Sequence, residues 1–527
     1  MNLTGAMLID GADVMGTHGT VYAHNPATGE RLEPAFGAGG QPEVDRACAL
    51  AAAAFGIYRE TTQAVRAAFL RSIGAGLLEL GDALMERAQA ETGLPRARLE
   101  GERGRTIGQL EMFAKIVEDG RWMGVVMDTA LPDRKPLPRP DLRLRRIPLG
   151  SVAIFGASNF PLAFSVAGGD TASALAAGCP VVMKSHSAHP GTSELVGRVI
   201  QKAVAEHGLP HGVFALLVGD GIAIGQELVR HPEIKAVGFT GSRSGGLSLM
   251  RAAANRLEPI PVYAEMSSVN PVFVLPGALQ ENAETLAKSF VDSLVLGVGQ
   301  FCTNPGLALG VAGEALDRFS RAAAAEVDCR SSAAMLTPGI QKAYEEAVHR
   351  LRGADAVTLL ASVAKPAEAV GSHGCPALFS VNAGDLLKSP ELGAEVFGPS
   401  SMLVQCRDLD EMRAVAEAME GQLTATILAT ADDEAIARSL LPILERKVGR
   451  IVYNGFPTGV EVSSAMVHGG PFPATSEGRT TSVGAGAIER FLRPVSYQNL
   501  PPTLLPDALK PENPLSIPRL VDFAPQG

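Results

Sequence analysis

The sequence has few cysteines, few aromatics, no long apolar run and no excess of positive charge, and each shortage excludes something. Six cysteines stand at positions 48, 179, 302, 329, 375 and 406 of 527 residues. None forms a Cys-x-x-Cys pair. Scattered thiols fit a reducing compartment and argue against a disulfide framework or a structural zinc site, so no metal is expected and the expected location is the cytoplasm. The net charge of −10 offers no strong positive field to attract nucleic-acid phosphates. Apolar runs such as Val152-Ala153-Ile154-Phe155 fall far short of the about 20 residues that span a bilayer. Asp10 and Asp13 stand near the N-terminus, where no basic segment leads into an apolar one, so no secretory signal is expected. Finally, no Gly-x-Gly-x-x-Gly follows the first buried strand, so the usual dinucleotide fingerprint is missing.

What is present is an alternation of short apolar strands and helices. Gln41-Pro42-Glu43 opens a helix, with proline and an acid in its first turn. Helices are expected over about 63–92, stopped by Gly93-Leu94-Pro95, and over 96–120, with a charged start at Arg98, Glu100, Glu102, Arg103 and Arg105. Pro132 to Pro140 holds four prolines and is a connector. Asp141 to Ile147 alternates apolar and charged residues, the period of a half-exposed strand. Strands at 152–155, 181–184, 213–218 and 236–239 then alternate with helices, the pattern of a parallel, doubly wound sheet. A second α/β domain begins near Pro261. Seven prolines from Pro501 onward mark an extended tail packed on the body or on a neighbour.

Within this frame one stretch draws the chemistry together. The apolar run from Ser289 ends at Gly297-Val298-Gly299-Gln300-Phe301, and a single thiol, Cys302, stands just beyond it before Asn304-Pro305-Gly306 breaks the chain. A free cysteine, with a pKa of about 8.5, needs a base or a preorganised environment before it attacks carbon. Glu265 follows the apolar segment Pro261-Val262-Tyr263-Ala264, where burial would raise its pKa and make it a usable general base. Asn159 lies just past the first strand, and its amide can either donate to an oxyanion or simply support the turn. Phe239-Thr240-Gly241-Ser242 ends a strand and opens a helix whose free N–H groups can hold a pyrophosphate. Lys184 sits at the carboxyl end of a strand, the edge where such sheets bind ligands.

Ser158-Asn159-Phe160-Pro161, Lys184, Phe239-Thr240-Gly241-Ser242, Glu265, Gly299-Gln300-Phe301-Cys302 and Glu395-Val396-Phe397-Gly398-Pro399 occur in an order and spacing that resemble the aldehyde dehydrogenase superfamily. The resemblance runs from about residue 20 to residue 500. It implies a Rossmann-type cofactor domain (1–137 and 149–262), an α/β catalytic domain (263–483), a small oligomerisation flap (138–148 and 484–500) and the tail (501–527). It implies Cys302 as nucleophile, Asn159 as oxyanion donor and Glu265 as the base that activates water. Phe155, Ser158, Lys184, Ser187, Gly221, Phe239, Ser242, Glu395 and Phe397 would bind the cofactor. Lys184 would meet the adenine ribose, Ser242 the pyrophosphate and Glu395 the nicotinamide ribose.

Two departures stand out. Met266-Ser267-Ser268 follows the base where many members have glycines, which bears on how the glutamate moves past the cofactor. Ser187 stands where NAD-preferring members often carry a glutamate, which removes repulsion against a 2′-phosphate, so NADP is favoured over NAD. Ser185-His186-Ser187-Ala188-His189, Pro457-Thr458-Gly459-Val460-Glu461 and His468-Gly469-Gly470-Pro471 resemble the 2-oxoglutarate semialdehyde dehydrogenase branch, with fatty aldehyde dehydrogenases as its relatives. Phe160, Phe164, Phe301 and Phe456 are the expected substrate wall. Arg103, Arg105 and Gln109 are the candidates for the group that binds the substrate anion. The alternatives are a broad-range or long-chain aldehyde dehydrogenase and a non-catalytic member. A homodimer or homotetramer is expected, with no nucleic-acid or membrane partner.

Overall fold

Two seven-stranded sheets and a five-stranded one carry the chain in a computed structural model that describes residues 3–526 except 220, 367 and 369. The first sheet contains five parallel strands, Ser151–Phe155, Val181–Lys184, Phe214–Leu217, Ile234–Thr240 and Val262–Glu265. The first three are buried along their whole length, which is why they read as continuous apolar runs. Across the sheet, Val262–Glu265 lies outermost, then Ile234–Thr240, Ser151–Phe155, Val181–Lys184 and Phe214–Leu217. The strand order therefore reverses between Ser151–Phe155 and Ile234–Thr240. A crevice opens at such a reversal, at the carboxyl ends of the strands. Met7–Ile9 and Ala12–Val14 close the far edge in antiparallel fashion.

The second sheet runs, in spatial order, through Val357–Ser362, Ala377–Asn382, Ser400–Cys406, Leu307–Val311, Val272–Val274, Gln422–Leu428 and Val448–Tyr453, antiparallel only at the first. The loop holding Cys302 leads into Leu307–Val311, and the loop holding Glu395 leads into Ser400–Cys406. Both loops thus lie at the amino ends of the second sheet. Glu265 and Thr475 form a bridge between the two halves.

The helices follow the apolar spacing with one difference. The stretch over 63–92 is two helices, Gln63–Glu79 and Gly81–Thr92, because Gly81 takes φ 53° and turns the chain. Gly93 and Gly120 end their helices at φ 67° and 76°, as expected of glycine at that position. The helix Pro190–Glu206 is capped by buried Glu91, whose carboxylate accepts the N–H groups of Gly191 and Thr192 at 2.8 Å each.

The third sheet differs more from expectation. Leu142–Pro148 pairs with Leu492–Gln498, but Val126–Asp128 joins them too, so this sheet starts earlier in the chain than 138. The proline-rich end is not simply extended. It makes 3₁₀ turns, buries Leu505, Ala508, Leu509 and Ile517 in the main core, and adds the hairpin Arg519–Val521 and Ala524–Gln526 to the sheet. The prolines fall between these elements and on the outer strand, where a missing N–H costs nothing. No helix among the described residues is long and apolar enough to cross a membrane.

Candidate active site

Cys302 sits on a turn built by three consecutive left-handed residues. The helix Pro276–Val295 ends, and Gly297, Val298 and Gly299 take φ 57°, 59° and 64°. For a β-branched residue such as Val298 that conformation is strained, and neighbours must hold it. A Cβ on Gly299 would lie 2.2 Å from the carbonyl oxygen of Gly398, so only glycine fits there. Asn270 Nδ2 donates to the carbonyls of Cys302 and Asn304 at 2.9 Å each, and Gln300 Oε1 accepts the N–H of Leu336 at 3.0 Å. The thiol is thereby aimed at the seam between the two halves.

At that seam Glu265 ends its strand, 3% exposed, with both carboxylate oxygens occupied. Oε1 accepts from His468 Nε2 at 2.9 Å and Oε2 from Ser482 Oγ at 2.9 Å. His468 Nε2 also lies 3.4 Å from Cys302 Sγ. Among the described residues Glu265, Cys302 and His468 are the one group of such donors whose atoms all lie within 4.8 Å of one another. Burial pushes the Cys302 thiol well up, the Glu265 charge adds to this, and the Arg105 guanidinium opposes it. Burial also acts to raise Glu265, but His468 and Ser482 outweigh it and hold the carboxyl below its ordinary range. The resting proton therefore sits on sulfur, with an ionised carboxylate beside it. His468 was singled out in the sequence only as part of a glycine-rich motif. Nothing local shows that its ring meets a carboxylate 203 residues away.

The segment after the base is firmly held, although it lacks the family's glycines. Ser268 Oγ lies 2.8 Å from Asn270 Oδ1 and 3.0 Å from Gln422 Oε1, and accepts the N–H of Leu423 at 2.9 Å. Asn159 is 7% exposed, and its Nδ2 donates to the carbonyl of Gln300 at 3.0 Å. That leaves the second amide hydrogen for another acceptor. His189 Nε2 meets the carbonyl of Ala157 at 3.0 Å, and its ring stacks on His186 at 5.3 Å, so these histidines steady the loop that carries Asn159.

Three of the four expected wall residues come together. Phe160 meets Phe164 and Phe301 edge-on at 5.4 and 5.3 Å, and Phe164 faces His468 at 5.9 Å. Phe456 stands apart with its ring against Phe290 at 6.3 Å. Two guanidinium groups from the helix Arg96–Asp119 lie over this wall. Arg98 is 4.6 Å from the Phe301 centroid and Arg105 is 5.0 Å from that of Phe164. Arg98 Nη2 donates to the Asn159 carbonyl at 2.7 Å. Its Nη1, like Nε and Nη2 of Arg105, is buried without a hydrogen-bond partner. Burial holds the pKa of both guanidinium groups below the usual arginine value. Of the other two anion candidates, Arg103 turns to the Gly81 carbonyl at 3.5 Å and Gln109 is buried against Gly169.

A cleft of about 630 Å³ opens beside Glu395, lined in part by Ser242, Arg243, Ser267, Glu395 and Pro473. Ser242 caps the helix Arg243–Ala254, its Oγ accepting the Gly245 N–H at 3.2 Å. Phe239 packs under that turn and tilts against Phe155 at 6.4 Å. Lys184 is 7% exposed at its strand end, and a Cβ on Gly221 would come within 3.5 Å of its Nζ. Ser158 is half-buried beside Asn159, Ser187 is exposed, and Phe397 is half-buried. Glu395 Oε1 lies 3.4 Å from the Ser268 N–H, and burial pushes its carboxyl up to about 7. A helix N-terminus, a strand-end lysine and a carboxylate without a neutralising cation fit a dinucleotide: phosphates for the first, ribose hydroxyls for the other two.

Comparison with known proteins agrees with this geometry. The sequence profile of the aldehyde dehydrogenase family matches residues 14–493. Alpha-ketoglutaric semialdehyde dehydrogenase 2 of Azospirillum brasilense is 57% identical over 523 residues, covering 99% of each chain. The alpha-ketoglutaric semialdehyde dehydrogenase of Acinetobacter baylyi is 49% identical over 519 residues, covering 98% of each. Among solved structures, betaine aldehyde dehydrogenase of Staphylococcus aureus in complex with NAD⁺ has a TM-score of 0.81 at 21% identity, covering 95% of this chain and 96% of that one. The chain belongs to the aldehyde dehydrogenase family and is an oxidoreductase acting on aldehydes.

Proposed function

We propose that the chain oxidises 2-oxoglutarate semialdehyde (2,5-dioxopentanoate) to 2-oxoglutarate, with NADP favoured over NAD as acceptor. The activities for which the two relatives are named support the reading, and one observation carries it here: the unpaired, buried N–H groups of Arg98 and Arg105 beside the aromatic wall. A buried guanidinium without an anion costs several kcal/mol. A substrate carboxylate supplies the missing acceptors, while the phenylalanines cover the carbon chain. An aliphatic aldehyde would satisfy the rings but leave both cations unpaired.

In this reading the thiol proton passes to Glu265 and Cys302 Sγ bonds to the aldehyde carbon. The oxyanion that forms is held by Asn159 Nδ2 and the Cys302 backbone N–H. A nicotinamide held by Glu395 and Ser242 would supply the acceptor for the hydride that leaves the thiohemiacetal carbon. The thioester then remains on Cys302, and Glu265 releases its proton to solvent. Glu265 next takes a proton from water, the resulting hydroxide attacks the thioester, and sulfur departs and recovers that proton. Glu395 and Ser242 orient the cofactor, and Ser187 leaves room for a 2′-phosphate. The third sheet, whose edge strand Leu492–Gln498 alternates exposed and half-buried residues from Pro494 onward, is the proposed seam of a homodimer or homotetramer.

The test is kcat/KM for 2,5-dioxopentanoate beside a medium-chain aliphatic aldehyde, each with NAD and NADP, for the wild type and Arg105→Met. Preference for the oxo acid, with a KM rise of about tenfold to a hundredfold in the variant for that substrate alone, supports the reading. Preference for the aliphatic aldehyde assigns the chain to long-chain substrates instead.

A further inference from the structure

We propose that His468 is a third catalytic residue: a hydrogen-bond donor that follows the negative charge from Glu265 to Cys302 as the thiol ionises. One ring nitrogen faces both reacting groups, Nε2 lying 2.9 Å from Glu265 Oε1 and 3.4 Å from Cys302 Sγ. An ionised carboxylate only accepts hydrogen bonds, so Nε2 carries a proton and donates it. The ring cannot turn away. His468 is 1% exposed. Its backbone N–H donates to Thr481 Oγ1 at 2.8 Å, and its backbone carbonyl accepts from the Ser482 N–H at 2.8 Å.

The electrostatics of the resting site call for such a donor. Burial and the charge on Glu265 both push the thiol up, which leaves sulfur poorly placed to ionise. When the thiol proton moves to Glu265, the S–H bond breaks, an O–H bond forms, and the charge passes from oxygen to sulfur. The hydrogen bond from Nε2–H then shifts from Oε1 to Sγ. The imidazole enters and leaves the step with the same protons, and no other reagent is required. Donor and charge stay together, so the thiolate forms next to a fixed dipole rather than in bare apolar surroundings. The other charged groups that act on the sulfur are Arg105, Glu395 and Arg450. Among the described residues, His468 Nε2 is the one hydrogen-bonding nitrogen that meets both the sulfur and the carboxylate.

The proposal rests on Cys302 as the nucleophile and not on which aldehyde is oxidised. Its test therefore uses iodoacetamide, which reads the thiolate without any aldehyde. The alkylation rate of Cys302, resolved from exposed Cys329 by peptide mass spectrometry, is followed from pH 6 to 10 in the wild type, His468→Phe and His468→Gln. His468→Phe keeps a ring and loses the donor. We expect its alkylation to be about tenfold slower at neutral pH, with the midpoint raised by about one pH unit. His468→Gln restores an N–H and recovers most of the rate. Retained cofactor binding shows that each variant is folded, and Met replaces Phe if the Phe variant fails that check. A wild-type pH profile in the donorless variant overturns the proposal. So does an equal loss in the Gln variant, because it would assign the effect to shape.

Discussion

Burial acts to raise both Glu265 and Glu395, yet their hydrogen-bond surroundings differ. Glu265 has both oxygens occupied, by His468 and Ser482, and is held below its ordinary range. Glu395 has a backbone N–H at 3.4 Å, and burial lifts it to about 7. The first is fixed, ionised and next to sulfur, which suits proton transfer at the reacting carbon. The second is open to the cleft and hungry for donors, which suits ribose hydroxyls. Environment rather than residue type separates the roles.

Replacing Cys302, the proposed nucleophile, should have the largest effect. Cys302→Ala is expected to abolish the oxidation, with no burst of reduced cofactor by stopped-flow absorbance, while cofactor still binds. Undiminished turnover would show that the thiol is not the attacking group. Glu265→Gln comes next. Its steady-state rate should fall by about 10²–10⁴. A burst of about one equivalent should still develop, more slowly, and then stall at the thioester. A variant that cycles freely after the burst would remove Glu265 from water activation.

Much of this was legible in the sequence. Strands that are buried on both faces write themselves as apolar runs, so four strands of the first sheet could be read closely from the sequence, whereas their spatial order and the place of the outer strands Val262–Glu265, Met7–Ile9 and Ala12–Val14 beside them could not. Cys302, Glu265 and Asn159 stood out because each is a chemically awkward residue in an apolar or turn-forming stretch. His468 did not, since its meaning comes from a contact across 203 residues and from no local pattern. Arg103, Arg105 and Gln109 are equivalent in the sequence, and only the fold shows that the Arg105 guanidinium lies over Phe164 while Arg103 meets the Gly81 carbonyl. Phe456 looked equivalent to the other phenylalanines, because sequence records ring type and not the direction in which a loop aims it. The tail was read from its prolines, which disclose the interruptions but not the hairpin between them.

The smallest effect sharpens the comparison on the side of Glu395. Its folded pKa of about 7 lies above the 4.5 of a free glutamate, so the group is protonated below that pH and ionised above it. Ribose hydroxyls bind the ionised form better, since a protonated carboxyl gives up acceptor capacity. Cofactor affinity should therefore weaken several-fold as pH falls from 8 to 6. Binding should in turn lower the pKa of Glu395, because donors favour the charged form. The same raised pKa makes the cofactor-free protein less stable as pH rises between 4.5 and about 7, since the folded state alone holds the proton there. Glu395→Gln should bind cofactor about tenfold more weakly at pH 8, with the pH slope gone, as read by isothermal calorimetry. An unchanged slope in that variant would place the titrating group elsewhere, and the two carboxylates would then differ in environment without differing in role.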